Sequence, residues 1–250
     1  QFLMKNMDLN IKSRQLYLPG NRHLSGLMAR GQINKESLAI KVAIENYAEH
    51  EKTLINDLNL EANGKISDHI LLAKVQIHDK TKIQLKAAGG VDVKTPLSSL
   101  RWNGQLTELS SSGKIPIRLM SPTKVSISPE QASLGQTTFS ISDGHIHIDQ
   151  LQWTPQDWKT RGNFTGIALL PGEHPELKQP FLHLGGHWDF TSNTQLTGNL
   201  HIHREKGDWY LPGEVPQPIG LEIMQLKLAA RDEKITGKFE LISQYIGTAD

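Results

Sequence analysis

The stretch "LAIKVAIE", Leu38 to Glu45, shows the pattern that decides the fold. Leu38, Ile40, Val42 and Ile44 alternate with smaller or charged residues. Successive side chains of a β-strand point to opposite faces of a sheet, so a period of two is typical of a strand with one apolar face. The stretch therefore predicts a half-buried strand.

The same alternation recurs along the whole chain. It is found in Leu58–Leu60, Val75–Ile77, Ile83–Leu85, Ile115–Ile117, Val125–Ile127, around Ile141, and in Leu182–Leu184. Turn-forming sequences such as "SSSG", "SDG" and "LGG" follow these segments within a few residues. A strand and a short turn that repeat about every ten to twelve residues predict an all-β chain, rich in antiparallel pairing.

A helix over Lys35–Leu54 is the main alternative to this interpretation. An amphipathic helix needs apolar residues at positions i, i+4 and i+7. Here the apolar residues keep the two-residue spacing through Ile44, so we favour a strand.

Composition and motifs exclude several classes of function. The 27 basic and 26 acidic residues are interspersed, so no charged field favours nucleic acid. The chain has no cysteine, which excludes thiolate nucleophiles, disulfides and cysteine-ligated zinc. No apolar run reaches the ~18 residues of a membrane span, and no nucleophile elbow, phosphate-binding loop or dinucleotide-binding motif is present. We expect neither an enzyme nor a bound cofactor.

Two histidine pairs raise the question of a metal site. His145, His147 and Asp149 share the polar face of one predicted strand, and His201 and His203 form a second pair. A catalytic metal needs about three convergent ligands, and one strand does not supply them. The first group resembles the His-x-His-x-Asp-His signature of metallo-β-lactamase-like hydrolases only in part, because the last histidine is absent. We expect no metal site.

Glycine occupies a repeated position, in a Gly-polar-apolar pattern. The repeat contains Gly31, Gly64, Gly104, Gly113, Gly162, Gly198 and Gly237. In Leu196, Gly198 and Leu200 the glycine falls on the apolar face. The structural interpretation is that glycine lets the sheet bend or marks a bulge. The functional interpretation is that it leaves room on the apolar face for something other than side chains.

Several longer segments together resemble the TamB family and its AsmA-like relatives. They are "LNLEANGKISDHILL" (58–72), "LRWNGQL" (100–106), "PIRLMSPTKVSIS" (116–128), "GHIHIDQLQW" (144–153), "TRGNFTGIAL" (160–169), "LHLGGHWDF" (182–190), "LTGNLHIHREKGDWYL" (196–211) and "IGLEIMQLKLAARDEKITGKFEL" (219–241). The resemblance covers most of the chain from about residue 24 onward. It lies in spacing and character, with the Trp-Asn-Gly, Gly-Gly-His-Trp-Asp and Arg-Glu-Lys-Gly-Asp-Trp sequences as its most specific parts.

The resemblance implies an elongated β-sheet folded into a U-shaped apolar trough, or β-taco. Residues 1–250 are then one elongated segment of a longer periplasmic protein of a Gram-negative bacterium, anchored in the inner membrane outside this segment. The implied function is a phospholipid conduit between the inner and outer membranes, in outer-membrane biogenesis. The implied partners are phospholipid acyl chains and the outer-membrane barrel TamA, which would be reached through other parts of the protein.

Such a trough predicts a row of inward side chains as the lipid groove. Those residues are Ile40, Val42, Leu58, Leu60, Leu85, Trp102, Leu106, Ile117, Ile127, Ile141, Ile146, Ile148, Trp153, Phe164, Leu184, Trp188, Leu200, Ile202, Phe239 and Leu241. The alternation breaks between Ile148 and Leu151, and between Ile44 and the next segment; a bulge at such a break would change which of these residues point inward.

Two other functions fit the same pattern. A scaffold or chaperone could pair its sheet edge with an incoming strand of an outer-membrane protein client, such as an autotransporter. A closed β-sandwich filled by its own side chains also shows this alternation. The sequence does not separate an open trough from a closed sandwich.

Overall fold

The computed structural model describes residues 6–34, 37–50, 52–77, 81–91, 100–113, 115–169, 182–211, 217–231 and 234–249. Within these ranges the regular structure consists of strands, and no helix that could cross a membrane is present. Every strand pair given below is antiparallel. The prediction of an all-β, antiparallel chain is confirmed.

The chain divides into two compact units, residues 1–134 and 135–250. Each unit is described by itself. The prediction that residues 1–250 form a single elongated segment stays a prediction.

Unit 1 is an antiparallel meander in which each long strand pairs with the next along the chain. Its strands are β1 (Met7–Leu18), β2 (Arg22–Ile33), β3 (Leu38–Ile44), β4 (Asn46–Glu49), β5 (Lys52–Lys65), β6 (Asp68–Ile77), β7 (Lys82–Val91), β8 (Trp102–Ser112), β9 (Ile117–Leu119), β10 (Thr123–Ser128) and β11 (Gln131–Leu134). The short strands β3 and β4 together occupy the position between β2 and β5. Strands β9 and β10 both pair with β8.

Unit 2 is also built from antiparallel strands. They are β12 (Thr137–Ile141), β13 (Gly144–Trp153), β14 (Trp158–Leu169), β15 (Leu182–Ser192), β16 (Leu196–Gly207), β17 (Tyr210–Leu211), β18 (Gln217–Pro218), β19 (Leu221–Arg231), β20 (Lys234–Ser243) and β21 (Gly247–Ala249). Strands β12 to β16 pair in order, and β16 then pairs with β19. Strands β17 and β18 form a small separate ladder within the connection.

The alternation in "LAIKVAIE" becomes a matched register between strands. Val42 lies opposite Ala29 on one side and Leu60 on the other, and Leu60 lies opposite Ala73. Directly opposite residues of an antiparallel pair share a face, so one face collects the apolar residues of successive strands. The helix alternative over 35–54 is wrong where the structure describes this region; residues 35, 36 and 51 lie outside the described part.

A bulge lies at the break in the alternation after Ile148. The β13–β14 register shifts between Ile148 and Gln150. One extra residue in a strand reverses the parity that follows it. As a result Ile148 and Leu151 lie on the same face, opposite Gly162 and Thr160 respectively, although an odd number of positions separates them.

The buried apolar core of the described residues is small. Half of its members are alanines, and Leu182, with no exposed surface, is the one large side chain that is completely buried. Leu182 packs with Ile219 and Leu221 at one end of unit 2. The carboxylate of Asp208 holds the loop beside this cluster by accepting hydrogen bonds from the backbone N–H groups of Gly220 and Leu221, both at 3.0 Å. Apart from this cluster, most large apolar side chains stay partly exposed.

Candidate functional site: the apolar sheet faces

In unit 1, the strand register places nine of the predicted groove residues on one face of the sheet. Those residues are Ile40, Val42, Leu58, Leu60, Leu85, Trp102, Leu106, Ile117 and Ile127. A bulge in the β7–β8 ladder keeps Leu109 on the same face, opposite Leu85. The opposite face carries charged and polar side chains such as Lys41, Lys74 and Lys86. We call the first surface the apolar face of unit 1.

In unit 2, the register places the other eleven predicted residues on one face. Those residues are Ile141, Ile146, Ile148, Trp153, Phe164, Leu184, Trp188, Leu200, Ile202, Phe239 and Leu241. Leu226 and Leu228 of β19 join this face opposite Ile202 and Leu200. We call this surface the apolar face of unit 2.

These faces are poorly covered by the chain itself. Of the twenty predicted residues, Leu106 alone is classed as buried. Ile127 is 52% exposed, Trp153 46%, Phe239 42% and Leu60 39%. Isolated exposed apolar residues are ordinary on protein surfaces, whereas a contiguous set on one face is typical of a binding surface. Each unit therefore presents an apolar surface with room for an apolar partner.

Aromatic rings cover the glycines on these faces. A Cβ at Gly104 would lie 2.5 Å from Cη2 of Trp102, and a Cβ at Gly162 would lie 2.6 Å from Cη2 of Trp188. A Cβ at Gly198 would lie 2.7 Å from Cδ1 of Phe190. The functional interpretation of the glycines is therefore wrong at these positions, because the chain's own rings fill the room. A ring laid across a strand glycine covers the exposed backbone, an arrangement known as aromatic rescue.

Strands β14 and β15 each place an aromatic ring over a glycine of the other. Gly162 lies opposite Trp188, and Phe164 lies opposite Gly186. The two rings are nearly parallel, with centroids 6.4 Å apart and an angle of 29° between their planes. The indole N–H of Trp188 donates a hydrogen bond to Oγ1 of Thr160 at 2.9 Å, which fixes the ring. The apolar face of unit 2 thus has a flat aromatic floor.

Gly186 and Phe190 also belong to this floor, although the alternation pattern did not single them out. A signal for the reciprocal pair is present in the sequence, since "GNF" (162–164) and "GHW" (186–188) both place glycine two residues before an aromatic residue. On antiparallel strands in the right register, each glycine of such a pair faces the other strand's ring.

In unit 1, a histidine anchors the aromatic ring of the apolar face. His69 is buried, and its Nδ1 lies 2.9 Å from the carbonyl oxygen of Lys65. Its Nε2 accepts a hydrogen bond from the indole N–H of Trp102 at 3.0 Å. A carbonyl neighbour at Nδ1 and an N–H donor at Nε2 are both satisfied by the neutral Nδ1–H tautomer. His69 therefore positions Trp102 over Gly104.

The polar face of unit 2 carries the histidines that suggested metal binding. His187 lies opposite His201 with ring centroids 5.3 Å apart, and His201 lies 5.4 Å from His203. Burial lowers the pKa of His201 below its ordinary value, Lys227 adds to this effect, and a hydrogen bond with Gln225 partly offsets it. In the part of the chain that the structure describes, no group of three or more potential ligands has an arrangement that could hold a metal ion.

Open depressions lie on both units but mix polar and apolar linings. A depression in unit 1, of about 520 Å³, is lined by the charged residues Arg30, Lys41 and Glu61 together with the apolar Leu9 and Ile40. The one in unit 2, of about 510 Å³, includes Leu200. The predicted groove residues are therefore brought together by the extended apolar faces and not by these depressions.

Comparison with family models, with curated proteins and with solved structures finds no match for this chain. The resemblance to the TamB family therefore remains an expectation from the sequence. What the chain can bind has to be argued from the geometry of its two apolar faces.

Proposed function

We propose that this chain is part of a phospholipid conduit, in which the apolar faces hold acyl chains. One observation carries the proposal. In each unit, successive antiparallel strands bring large aliphatic and aromatic residues to one face, and the chain's own side chains leave most of that face partly exposed. A self-filled β-sandwich would instead bury these residues against a second layer.

The chemistry of the faces favours hydrocarbon as the occupant. Leucine, isoleucine and valine dominate both apolar faces, and aromatic rings cover the glycines. In unit 1, the strand pairing places no lysine, arginine, aspartate or glutamate on the apolar face. Removing each CH₂ group of a lipid from water stabilises the complex by ~0.8 kcal/mol. A two-chain lipid therefore gains free energy from lying on such a face, and on the apolar face of unit 1 it meets no charged group that would fix it at one place.

The same arithmetic accounts for movement along the sheet. If neighbouring positions on an apolar face are chemically similar, an acyl chain can move between them with little net change in free energy. The barrier avoided is the full exposure of the acyl chains to water. The face lowers this barrier but supplies no direction, and the proposal assigns no catalytic role to any residue.

The cellular setting belongs to the same proposal and rests on the resemblance. A U-shaped trough in the periplasm, continuing a protein anchored in the inner membrane, would carry phospholipid to the outer membrane. The outer-membrane barrel TamA would be its partner through other parts of the protein.

Native mass spectrometry of the purified chain tests lipid binding directly. Leu200→Asp places a carboxylate on the apolar face, whereas Asn199→Asp places one on the exposed polar face of the same strand. We expect wild type and Asn199→Asp to carry co-purified or added phospholipid, and Leu200→Asp to carry none. Equal lipid on both variants, with both folded by circular dichroism, would contradict an acyl site on the apolar face.

An exposed edge strand favours a second candidate, the scaffold that pairs with a client strand. Among the described strands, β1 pairs with β2 alone, and its apolar residues Met7 and Ile11 are 52% and 46% exposed. Such an edge is a template for another strand. Here single prolines scanned across β1 should abolish binding of an outer-membrane protein strand, while Leu200→Asp should leave it intact. Client binding that survives every proline would contradict strand pairing at this edge.

A further inference from the structure

One charged side chain lies on the apolar face of unit 2. Arg204 lies opposite Leu184 and two residues after Ile202, both of which belong to that face. Every other described residue whose ladder pairing places it on this face is uncharged. Charged side chains avoid apolar surfaces unless a partner compensates them, so this position calls for an explanation.

Among the residues that the structure describes, the hydrogen-bond partners of Arg204 are neutral. Its Nε–H donates to the carbonyl oxygen of Gly207 at 2.8 Å, and its Nη1 donates to the carbonyl oxygen of Glu222 at 3.2 Å. The ion pairs of the described residues do not include Arg204. A guanidinium has five N–H donors in a planar fork, so about three remain available beyond the two used here. The group is thus fixed in place but keeps both its charge and spare donors.

The surroundings of Arg204 define what would complement it. The pairing of β16 with β19 ends at His203 and Gln225, just before Arg204. Nearby, Leu184 packs against the buried cluster of Leu182, Ile219 and Leu221. Arg204 therefore lies where the open apolar face meets a closed, packed end of the unit. A ligand that fits has hydrocarbon to cover the face and an oxyanion at its end.

We propose that Arg204 binds the phosphate group of a phospholipid whose acyl chains lie on the apolar face of unit 2. This rests on the proposed function and specifies it, because it assigns recognition of the lipid phosphate to one residue. Arginine binds phosphate with paired N–H···O bonds, which are stronger than neutral hydrogen bonds. Arg204 then acts as a stop for the headgroup at the packed end of the face.

Phosphatidate and diacylglycerol with identical acyl chains differ only by the phosphate, so they form the test pair. The whole chain is incubated with maltoside micelles that contain equal amounts of both lipids, repurified, and its bound lipid is measured by mass spectrometry. We expect wild type to prefer phosphatidate by about tenfold or more, as one charge-assisted contact allows. Arg204→Gln should lose this preference but keep its diacylglycerol.

A control on the same strand separates this site from general charge attraction. Lys206 lies opposite His183, on the polar face, so Lys206→Gln removes the same charge from the other side of the sheet. We expect it to keep the wild-type preference. Equal losses in Lys206→Gln and Arg204→Gln would overturn the site, as would an unchanged preference in Arg204→Gln.

Two further comparisons complete the test. Arg204→Lys keeps the charge but loses the planar fork, so we expect a weaker preference for phosphatidate over diacylglycerol. If Arg204→Gln does not fold, Arg204→Lys takes its place in the test. An undiminished preference in Arg204→Lys then overturns the proposal. If inorganic phosphate raises the melting temperature of wild type but not of Arg204→Gln, while wild type binds both lipids equally, the ligand is free phosphate and the headgroup assignment fails. Wild type that binds neither lipid refutes the proposed function itself, whereas equal binding of both refutes only the role of Arg204.

Discussion

Replacing Gly162 by alanine tests the aromatic floor of unit 2. The new Cβ would lie 2.6 Å from Cη2 and Cζ2 of Trp188, where ordinary contacts are at least 3.4 Å, so the ring would have to retreat by about 0.8 Å. The Cβ would also clash with the backbone carbonyl oxygen of His147, which the β13–β14 ladder holds in place. Glycine is therefore required here by the close approach of a ring and a neighbouring strand.

Two effects lower the free energy of unfolding of Gly162→Ala. Forcing an extra methyl group into a packed site costs about 1–3 kcal/mol. Movement of the Trp188 ring also weakens its hydrogen bond to Thr160, worth ~1 kcal/mol. We expect Gly162→Ala to destabilise the protein by about 2–3 kcal/mol, and the melting temperature to fall by roughly 5–10 °C for a chain of this size.

Thermal unfolding followed by circular dichroism measures this effect. The matched control is Asn163→Ala, one residue further along β14, where the side chain is exposed on the polar face. Exposed substitutions of this kind change stability by about 0.5 kcal/mol or less. If Gly162→Ala melts within a degree of the control, the ring does not lie on this glycine and the floor is misassigned.

Other predictions concern packing and charge. Leu182→Ala should lower the free energy of unfolding by about 2–5 kcal/mol because the side chain is fully buried. Leu60→Ala should lower it by less than half as much because Leu60 is 39% exposed. Urea denaturation measures both losses, and equal losses would mean that the apolar face is covered. His69→Leu should lower the free energy of unfolding by about 1–3 kcal/mol and make Trp102 more mobile, because the indole N–H loses its acceptor. NMR relaxation of the Trp102 indole N–H measures this mobility, and unchanged relaxation would argue against the anchor. Burial lowers the pKa of His201, so below about pH 6.5 the unfolded chain takes up a proton that the folded chain resists. Stability should therefore fall as the pH drops below this value, and less steeply in His201→Gln; identical pH profiles of the melting temperature would contradict this.

Local alternation was enough to predict the strands and their apolar faces. In Leu38–Ile44 every second residue is aliphatic, and this information is complete within seven residues. When such strands pair, their apolar residues need only lie on the same face of the sheet. Short turns between antiparallel strands allow this. Even the bulge after Ile148 was visible, because parity breaks inside an otherwise regular segment.

Contacts that depend on exact register were not predictable in the same way. The pairing of Gly162 with Trp188 joins strands separated by a long connection, and a shift of one residue would turn Trp188 to the polar face. The bulges in β14 and β16, which change the parity of the residues beyond them, depend on backbone geometry rather than on a hydrophobic pattern. Arg204 keeps the parity of Leu200 and Ile202, so its place on the apolar face was open to the alternation pattern. It was missed because a charged residue at the end of an alternating run resembles a solvated surface charge.

The most direct test of the central claim asks whether acyl chains touch one face of the sheet and not the other. The chain has no cysteine, so Leu200→Cys and Asn199→Cys each provide a single site for a bimane fluorophore on opposite faces of β16. Phospholipid with brominated acyl chains, added in maltoside micelles, quenches a fluorophore only on close contact. The proposed function predicts strong quenching at position 200 and little at position 199, with non-brominated lipid as the reference. Equal quenching at both positions, or none at either, would contradict the claim that the apolar face holds acyl chains.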